Sequence, residues 1–244
     1  MASPTTTESE TPDQVADPNA KRTDYYQQVR HEVLALVPAD ARRILDVGCA
    51  EGVLGAQLLE RGASEVFGIE YDPTVGARAR TRLTEVYCGD VETMDLPFAP
   101  GSLDCIICAD VLEHLRNPYD VLKRFAGLLS PSGTVVSSIP NVRHHSILHM
   151  LAEGLWTYQS QGLMDSTHLR FFTKHEIGSL FDQAGLKVTS LGANIDPAYD
   201  EVRQSLPGKP LVDFAFGRVW LKDLRQDEVV ELFVIQYLIT ATKR

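Results

Sequence analysis

Acidic side chains recur where strand-like runs end. Asp46 lies in Ile44-Leu45-Asp46-Val47-Gly48, Glu70 closes the run from Val66, and Asp90 follows the run Glu85 to Cys88. A carboxylate so placed can accept hydrogen bonds from a ribose diol or an adenine amino group, and it repels phosphate. One such acid is as well explained as a helix cap or a solvated surface group. Three after three successive runs point to a nucleoside-like ligand that carries positive rather than negative charge. The glycines between the first two acids agree: Gly48, Gly52 and Gly55 depart from G-x-G-x-x-G, so the pyrophosphate of a dinucleotide is not expected. Gly48 and Gly52 suit a sharp turn that opens a helix with exposed N–H groups close to a ligand.

Histidines supply a second kind of chemistry. A hydroxyl nucleophile needs its proton removed, and imidazole is the usual acceptor near neutral pH. His144 follows a strand end and is expected to face the ligand crevice, whereas His145 would point about 100° away on a helix. His168 comes three residues after Asp165, whose carboxylate could fix its tautomer; Asp165 and Thr167 could equally do no more than organise the loop before a helix at Thr173. His144 and His168 are therefore the candidate general bases, with Asp165 as orienter. His114 is flanked by Leu112 and Leu115, and a structural hydrogen bond explains it at least as well. Asp110, Glu113, His144, His145, Asp165 and His168 could converge on a divalent ion such as Mg2+, but no compact ligand motif compels this. His145 and His149 have helical i, i+4 spacing without the Glu of H-E-x-x-H, so no metal ligand is assigned. Cys105 and Cys108 form C-x-x-C inside Leu103 to Ala109, where their odd separation puts them on opposite strand faces and favours core packing over redox or zinc chemistry.

The elements that must position these groups alternate. Arg43 to Val47, Val66 to Glu70, Glu85 to Cys88, Leu103 to Ala109 and Thr134 to Ile139 read as strands with helical patterns between most of them, and Lys187 to Ile195 and Glu231 to Ala241 read as two more. This order implies an α/β fold: a doubly wound, mostly parallel seven-stranded sheet covered on both faces. Asp24 to Val37 has helical periodicity, Asn117-Pro118 and Thr173 with Glu176 are helix starts, and Ser130-Pro131-Ser132-Gly133 reads as a turn. Residues 196–230 break the rhythm before the last strand and read as a cover segment, or the place to seek a homodimer contact. Residues 1–20 are polar and acidic and are expected to stay disordered, which leaves 21–244 as one domain. The chain has 244 residues, 44% of them hydrophobic, enough for one full core. Its net charge of −10 argues against nucleic acid as a partner. With no secretory signal and no long apolar run, a cytoplasmic protein with no membrane partner is expected.

The motifs together resemble the class I S-adenosylmethionine-dependent methyltransferases, over roughly residues 24–190. The resemblance rests on Asp46-Val47-Gly48-Cys49-Ala50-Glu51-Gly52, Gly68-Ile69-Glu70-Tyr71-Asp72-Pro73, Gly89-Asp90-Val91-Glu92 and Ala109-Asp110-Val111-Leu112-Glu113-His114-Leu115. It implies a Rossmann-like methyltransferase fold and S-adenosyl-L-methionine as cofactor, with Asp46 supporting the glycine loop and the methionine moiety, Glu70 holding the ribose, and Asp90 with Val91 holding the adenine. Gly48, Cys49, Gly52, Tyr71, Asp110 and Val111 complete the implied cofactor site, and Tyr26 joins it from the N-terminal segment. Ala50 stands where many members have glycine. Ser138 to His144 and Gly162 to Thr173 are similar to a bacterial subgroup associated with methylation of sugars and glycans. That likeness implies O-methylation of a saccharide hydroxyl, a weak acid that needs a His general base; Trp156 and Tyr158, whose rings can stack on a sugar face, and Tyr25 and His145, by position, are the candidate acceptor contacts. Two other readings stay open: methylation of a small aromatic or carboxylate metabolite, and a non-catalytic protein that senses S-adenosylmethionine.

Overall fold

A computed structural model describes residues 30–206, 208 and 210–244. The central sheet follows the expected alternation closely. Its strands are β1 (Arg43–Val47), β2 (Glu65–Glu70), β3 (Glu85–Cys88), β4 (Leu103–Ala109), β5 (Leu129–Pro140), β6 (Leu186–Ile195) and β9 (Val234–Lys243), in the order β3-β2-β1-β4-β5-β9-β6. β1 to β5 pair in parallel, and β9 runs antiparallel to both β5 and β6. Strand order reverses between β1 and β4, which opens a crevice at their carboxyl ends.

Helices cover both faces. Val33 of α1 (His31–Leu36), Leu54 and Leu58 of α2 (Val53–Glu60) and Ala79 of α3 (Pro73–Ala79) join one core layer; Phe125 of α4 (Pro118–Leu128) and Phe181 of α6 (Lys174–Gln183) join the other. Phe125 and Phe181 are fully buried, each worth ~1.5–3 kcal/mol of apolar transfer. β4 feeds both layers: Cys105 and Ile107 belong to the first, Ile106 and Cys108 to the second. The two cysteines therefore lie on opposite faces of the sheet, as their odd spacing requires, and no common metal or disulfide can join them. The helix signals hold as well. Asn117 Oδ1 accepts the Asp120 N–H with Pro118 in the first turn, and Thr173 Oγ1 accepts the Glu176 N–H.

Three boundaries differ from expectation. Residues 130–133 are not a free turn but an outward bulge within β5: Leu103 pairs with Leu129 and Cys105 with Thr134, so the extra residues on β5 leave Pro131 and Ser132 in solvent. Glu231 ends helix α8 (Gln226–Glu231) instead of opening the last strand. The helix expected over Asp24 to Val37 is described only from His31, and Tyr25 and Tyr26 lie outside the described residues.

The insertion folds on a small core of its own. α7 (Tyr199–Arg203) and the hairpin of β7 (Val212–Phe216) and β8 (Val219–Leu224) close over Leu206, Leu224, Val229, Leu232 and Phe233. Leu148 of α5 (His145–Ala152) packs against the same cluster, so the insertion is seated where α5 follows β5. No helix among the described residues is long and apolar enough to cross a membrane.

Candidate functional site

The crevice at the strand reversal is a cleft of about 470 Å³, within the range of small-molecule sites. Residues just past four successive strands build it: Gly48 and Ala50 after β1, Glu70 and Tyr71 at β2, Asp90 and Val91 after β3, Asp110 and Val111 after β4. Thr167 and Leu169 reach it from the segment before α6.

The glycine turn is shaped by steric demand. Gly48 has φ +67°, and a Cβ there would come within 2.9 Å of Val111 Cγ2; Gly52, at φ +78°, would bring its Cβ against Leu83 and Ala79. Only glycine meets both the conformation and the closeness without strain. Gly52 thus serves the packing of α2 on α3 and does not line the cleft, and Cys49 also turns inward, its Sγ lying over Gly68.

The donors of this turn do not point to a ligand, as had been expected of them. Gly48 and Cys49 N–H both donate to the Ile69 carbonyl at 2.8 and 3.0 Å, Ala50 N–H to Glu70 Oε2 at 2.9 Å, and Gly52 N–H to the Cys49 carbonyl at 2.8 Å. These four N–H groups are thus taken up within the turn, and Glu70, Asp90, Glu92 and Asp110 line the walls with Arg116. This donor and acceptor set fits a ligand with hydroxyl and cationic groups and lacking phosphate. Glu70 is held by two backbone N–H groups, Ala50 on Oε2 and Asp72 on Oε1 at 3.0 Å, and each oxygen retains a lone pair for a diol. Asp90 Oδ1 accepts the Glu92 N–H at 2.9 Å. Asp46 sits below the floor, 3% exposed; burial, reinforced by the charge of Glu70, pushes its carboxyl up to about 7.

Several supporting residues had no sequence signal. Asp110 adopts φ +54°, and its carboxylate is tied to the Arg30 guanidinium, to Ser138 Oγ–H at 2.9 Å and to Gln236 Nε2–H at 2.6 Å. Arg124 of α4 donates to the carbonyls of Val91, Glu92 and Met94, which fixes the loop after β3. The Glu92 carboxylate accepts the N–H groups of Arg116 and Asn117 and joins that loop to the one after β4. Arg30, Gln236 and Arg124 are 80, 126 and about 30 residues distant from their partners, beyond any local pattern.

The histidines are arranged differently from the sequence expectation. His144 does not line the cleft. It caps α5, with Nδ1 2.8 Å from Ser146 Oγ, and its Nε2 lies 3.4 Å from Asp196 Oδ2. Burial, with a smaller contribution from His145, pushes its pKa down to about 4. His145 packs against Phe216 and Phe233, away from the cleft. His114 is the histidine on the cleft wall. Its Nδ1 is 3.1 Å from both the Thr167 carbonyl and Thr167 Oγ1, which together orient the ring. Asp165, expected to orient His168, accepts the Thr167 N–H at 2.8 Å and its hydroxyl at 2.6 Å, and so organises the turn that holds His114. His168 is buried, packs edge-on against His114 with ring centroids 4.8 Å apart, and has Nδ1 3.3 Å from the Leu163 carbonyl. Trp156 stacks edge-on against Phe171 and Tyr158 is half exposed; neither reaches the cleft, and Phe172 is in the main core. Of the acids and histidines considered for one divalent ion, Glu113 and His168 lie with His114 beside the cleft, His144 and His145 lie with Asp196 under the insertion, and Asp110 and Asp165 belong to neither group.

Comparison with known proteins bears on this geometry. Residues 19–191 match the model of a family described as a methyltransferase domain. A ubiquinone biosynthesis O-methyltransferase of Neisseria meningitidis serogroup C is 32% identical over 155 residues, covering 60% of this chain and 64% of the relative, so the match spans less than two thirds of that protein. A SAM-dependent methyltransferase from Archaeoglobus fulgidus superposes with a TM-score of 0.60 at 17% identity, covering 90% of this chain and 97% of that one. The methyltransferase in complex with the Haloferax volcanii Trm112 methyltransferase activator gives 0.58 at 19% identity, covering 90% and 89%. At such identities the structural matches establish the fold alone. The likeness of residues 138–173 to a saccharide-methylating subgroup finds no support among these relatives.

Proposed function

Since this chain belongs to the methyltransferase-domain family and is an enzyme with S-adenosyl-L-methionine as methyl donor, we propose that it is an O-methyltransferase acting on a hydroxyl of a small aromatic acceptor, with His114 as general base. One observation carries the choice of base: His114 lines the cofactor cleft with its ring oriented by Thr167, whereas His144 lies under the insertion. An aromatic hydroxyl suits the apolar part of the cleft, Val111, Leu115 and Leu169, and the relatives named for ubiquinone biosynthesis favour it over a saccharide.

The bound cofactor supplies an electrophilic methyl on sulfonium. In the proposed arrangement Glu70 accepts from its ribose hydroxyls, Asp90 and Val91 hold the adenine, and Gly48 gives the backbone closeness that the methionine end needs. Gly52 and Cys49 contribute by packing the turn, and Asp46 by a charge beneath it. With the cofactor bound, its sulfonium would supply the methyl and keep the electron pair of the C–S bond, and His114 would take the proton of the acceptor hydroxyl that receives the methyl. Alignment of the hydroxyl in line with that bond is the larger part of the task, and Thr167 and Leu169 are placed to provide it.

Incubation with labelled cofactor and parallel panels of catechol-type phenols, saccharides and carboxylates, read by mass spectrometry, tests the proposal. Methylated phenol formed by the wild type and lost by orders of magnitude in His114→Gln supports it. Transfer to saccharide alone, or undiminished turnover by His114→Gln, refutes it.

A further inference from the structure

We propose that His144 and His145 at the start of α5 and Asp196 at the start of the insertion form a binding site for a divalent transition-metal ion of the zinc class, which fastens the insertion to the sheet. Nε2 of both imidazoles is buried without a hydrogen-bond partner among the described residues, although a buried polar atom left so costs about 1–3 kcal/mol. Both converge on one oxygen: Asp196 Oδ2 lies 3.4 Å from His144 Nε2 and 3.6 Å from His145 Nε2. These separations are long for a hydrogen bond. They are close to the edge of a tetrahedron, about 3.3–3.4 Å, whose centre lies about 2.0–2.1 Å from its ligands, the zinc–nitrogen distance.

Donor type and surroundings agree. Two imidazoles and a carboxylate suit zinc and its neighbours, whereas magnesium takes mainly oxygen ligands in octahedral array. His144 Nδ1 is placed to donate to Ser146 Oγ at 2.8 Å, the partner that would set the metal-binding tautomer. Ser146 N–H, 3.3 Å from the same nitrogen, would give up that weak cap as the single ring proton of the neutral imidazole moves from Nε2 to Nδ1, with no net proton release.

The backbone holds the ligands in place. His145 N–H donates to the Leu232 carbonyl and Asp196 N–H to the Phe233 carbonyl, both at 2.8 Å, while Phe216 and Phe233 flank the His145 ring. The Asp196 side chain, 28% exposed, gives an ion a path from solvent. The three residues come from the β5–α5 junction and from the end of β6, so an ion here would tie the insertion across two strands. None of the three lines the cofactor cleft, and the site is therefore structural and independent of the proposed acceptor.

Full-length protein stripped with chelator and titrated with Co2+ tests this through visible d–d absorption. One equivalent should bind with a tetrahedral or five-coordinate spectrum, Zn2+ should displace it, and one equivalent of Zn2+ should raise the melting temperature. Asp196→Asn keeps the Oδ1 that accepts the Ala198 N–H and should fold, yet weaken binding at least about tenfold and abolish the thermal shift. His145→Ala provides a second variant if His144 proves necessary to cap α5. Absence of a stoichiometric Co2+ spectrum, or binding unchanged in Asp196→Asn and His145→Ala, overturns the proposal; the latter result would place the ion at Glu113, His114 and His168.

Discussion

The backbone N–H of Ala50 donates to Glu70 Oε2 at 2.9 Å, so the residue in the middle of the glycine turn and the acid at the end of β2 hold each other in place. This one bond couples the shape of the turn to the orientation of the carboxylate proposed to accept from the ribose hydroxyls. Glu70→Gln presents an amide where two N–H groups need acceptors. Affinity for S-adenosylhomocysteine by titration calorimetry is expected to fall about 10–100-fold, the loss of one to two charge-assisted hydrogen bonds. Unchanged affinity would remove Glu70 from the cofactor site.

Ala50 itself occupies φ +49°, a left-handed conformation that costs an L-residue about 1–2 kcal/mol. Ala50→Gly relieves that strain but frees the unfolded chain, and a net gain of about 0–1 kcal/mol is expected in urea denaturation. Ala50→Val adds β-branching in the same region and should destabilise by about 1–2 kcal/mol or more. The small residue matters here for conformation.

Asp46 makes the unliganded protein pH-sensitive. Its carboxyl is raised from 3.8 to about 7, chiefly by burial. The folded state therefore binds this proton more tightly than the unfolded chain. The stabilising contribution is fully present below about pH 3.8 and is lost as pH rises through about 7, by on the order of 4 kcal/mol if no other group responds. Asp46→Asn should flatten the stability profile between those limits. A cationic ligand above the carboxyl would drive its proton off, so cofactor affinity should strengthen as pH rises toward 7 in the wild type and not in Asp46→Asn. Parallel slopes in the two proteins would refute the linkage.

His114→Gln is expected to lower kcat about 10²–10⁴-fold with little change in cofactor affinity. Asp165→Ala releases Thr167, whose carbonyl orients His114, and should cost about tenfold in kcat with the KM for cofactor retained. A purely structural part for Asp165 would instead lower melting temperature without moving kcat.

Arg30 and Asp110 form a partly buried ion pair at a strained backbone position. Arg30→Met should destabilise by about 1–3 kcal/mol, and Asp110→Gly should cost less than the lost ion pair alone because it relieves φ +54°. The double variant is expected to be less unstable than the sum of the two. Strict additivity in thermal or urea denaturation would show the pair to be uncoupled.

The sheet and the acid-lined crevice at its strand ends were legible in the sequence because both are specified locally. Alternating apolar runs define β1 to β4 within a residue of their bounds, and acids and glycines at strand ends occupy the places where a parallel sheet opens its crevice. The period of two also settled the separation of Cys105 from Cys108. What the tertiary structure decided is the identity of the groups that meet there. His114 and His144 look alike in sequence, each shortly past a strand end. Packing against Thr167, 53 residues away, puts the first on the cleft wall, while Asp196, brought in by the antiparallel β6 and β9, draws the second beneath the insertion. Arg30, Ser138 and Gln236 around Asp110 are likewise joined only by folding. Hydrophobic periodicity fixes which face of an element is buried, but it does not carry the long-range geometry that chooses one polar partner over another, and the catalytic assignment depends on that choice.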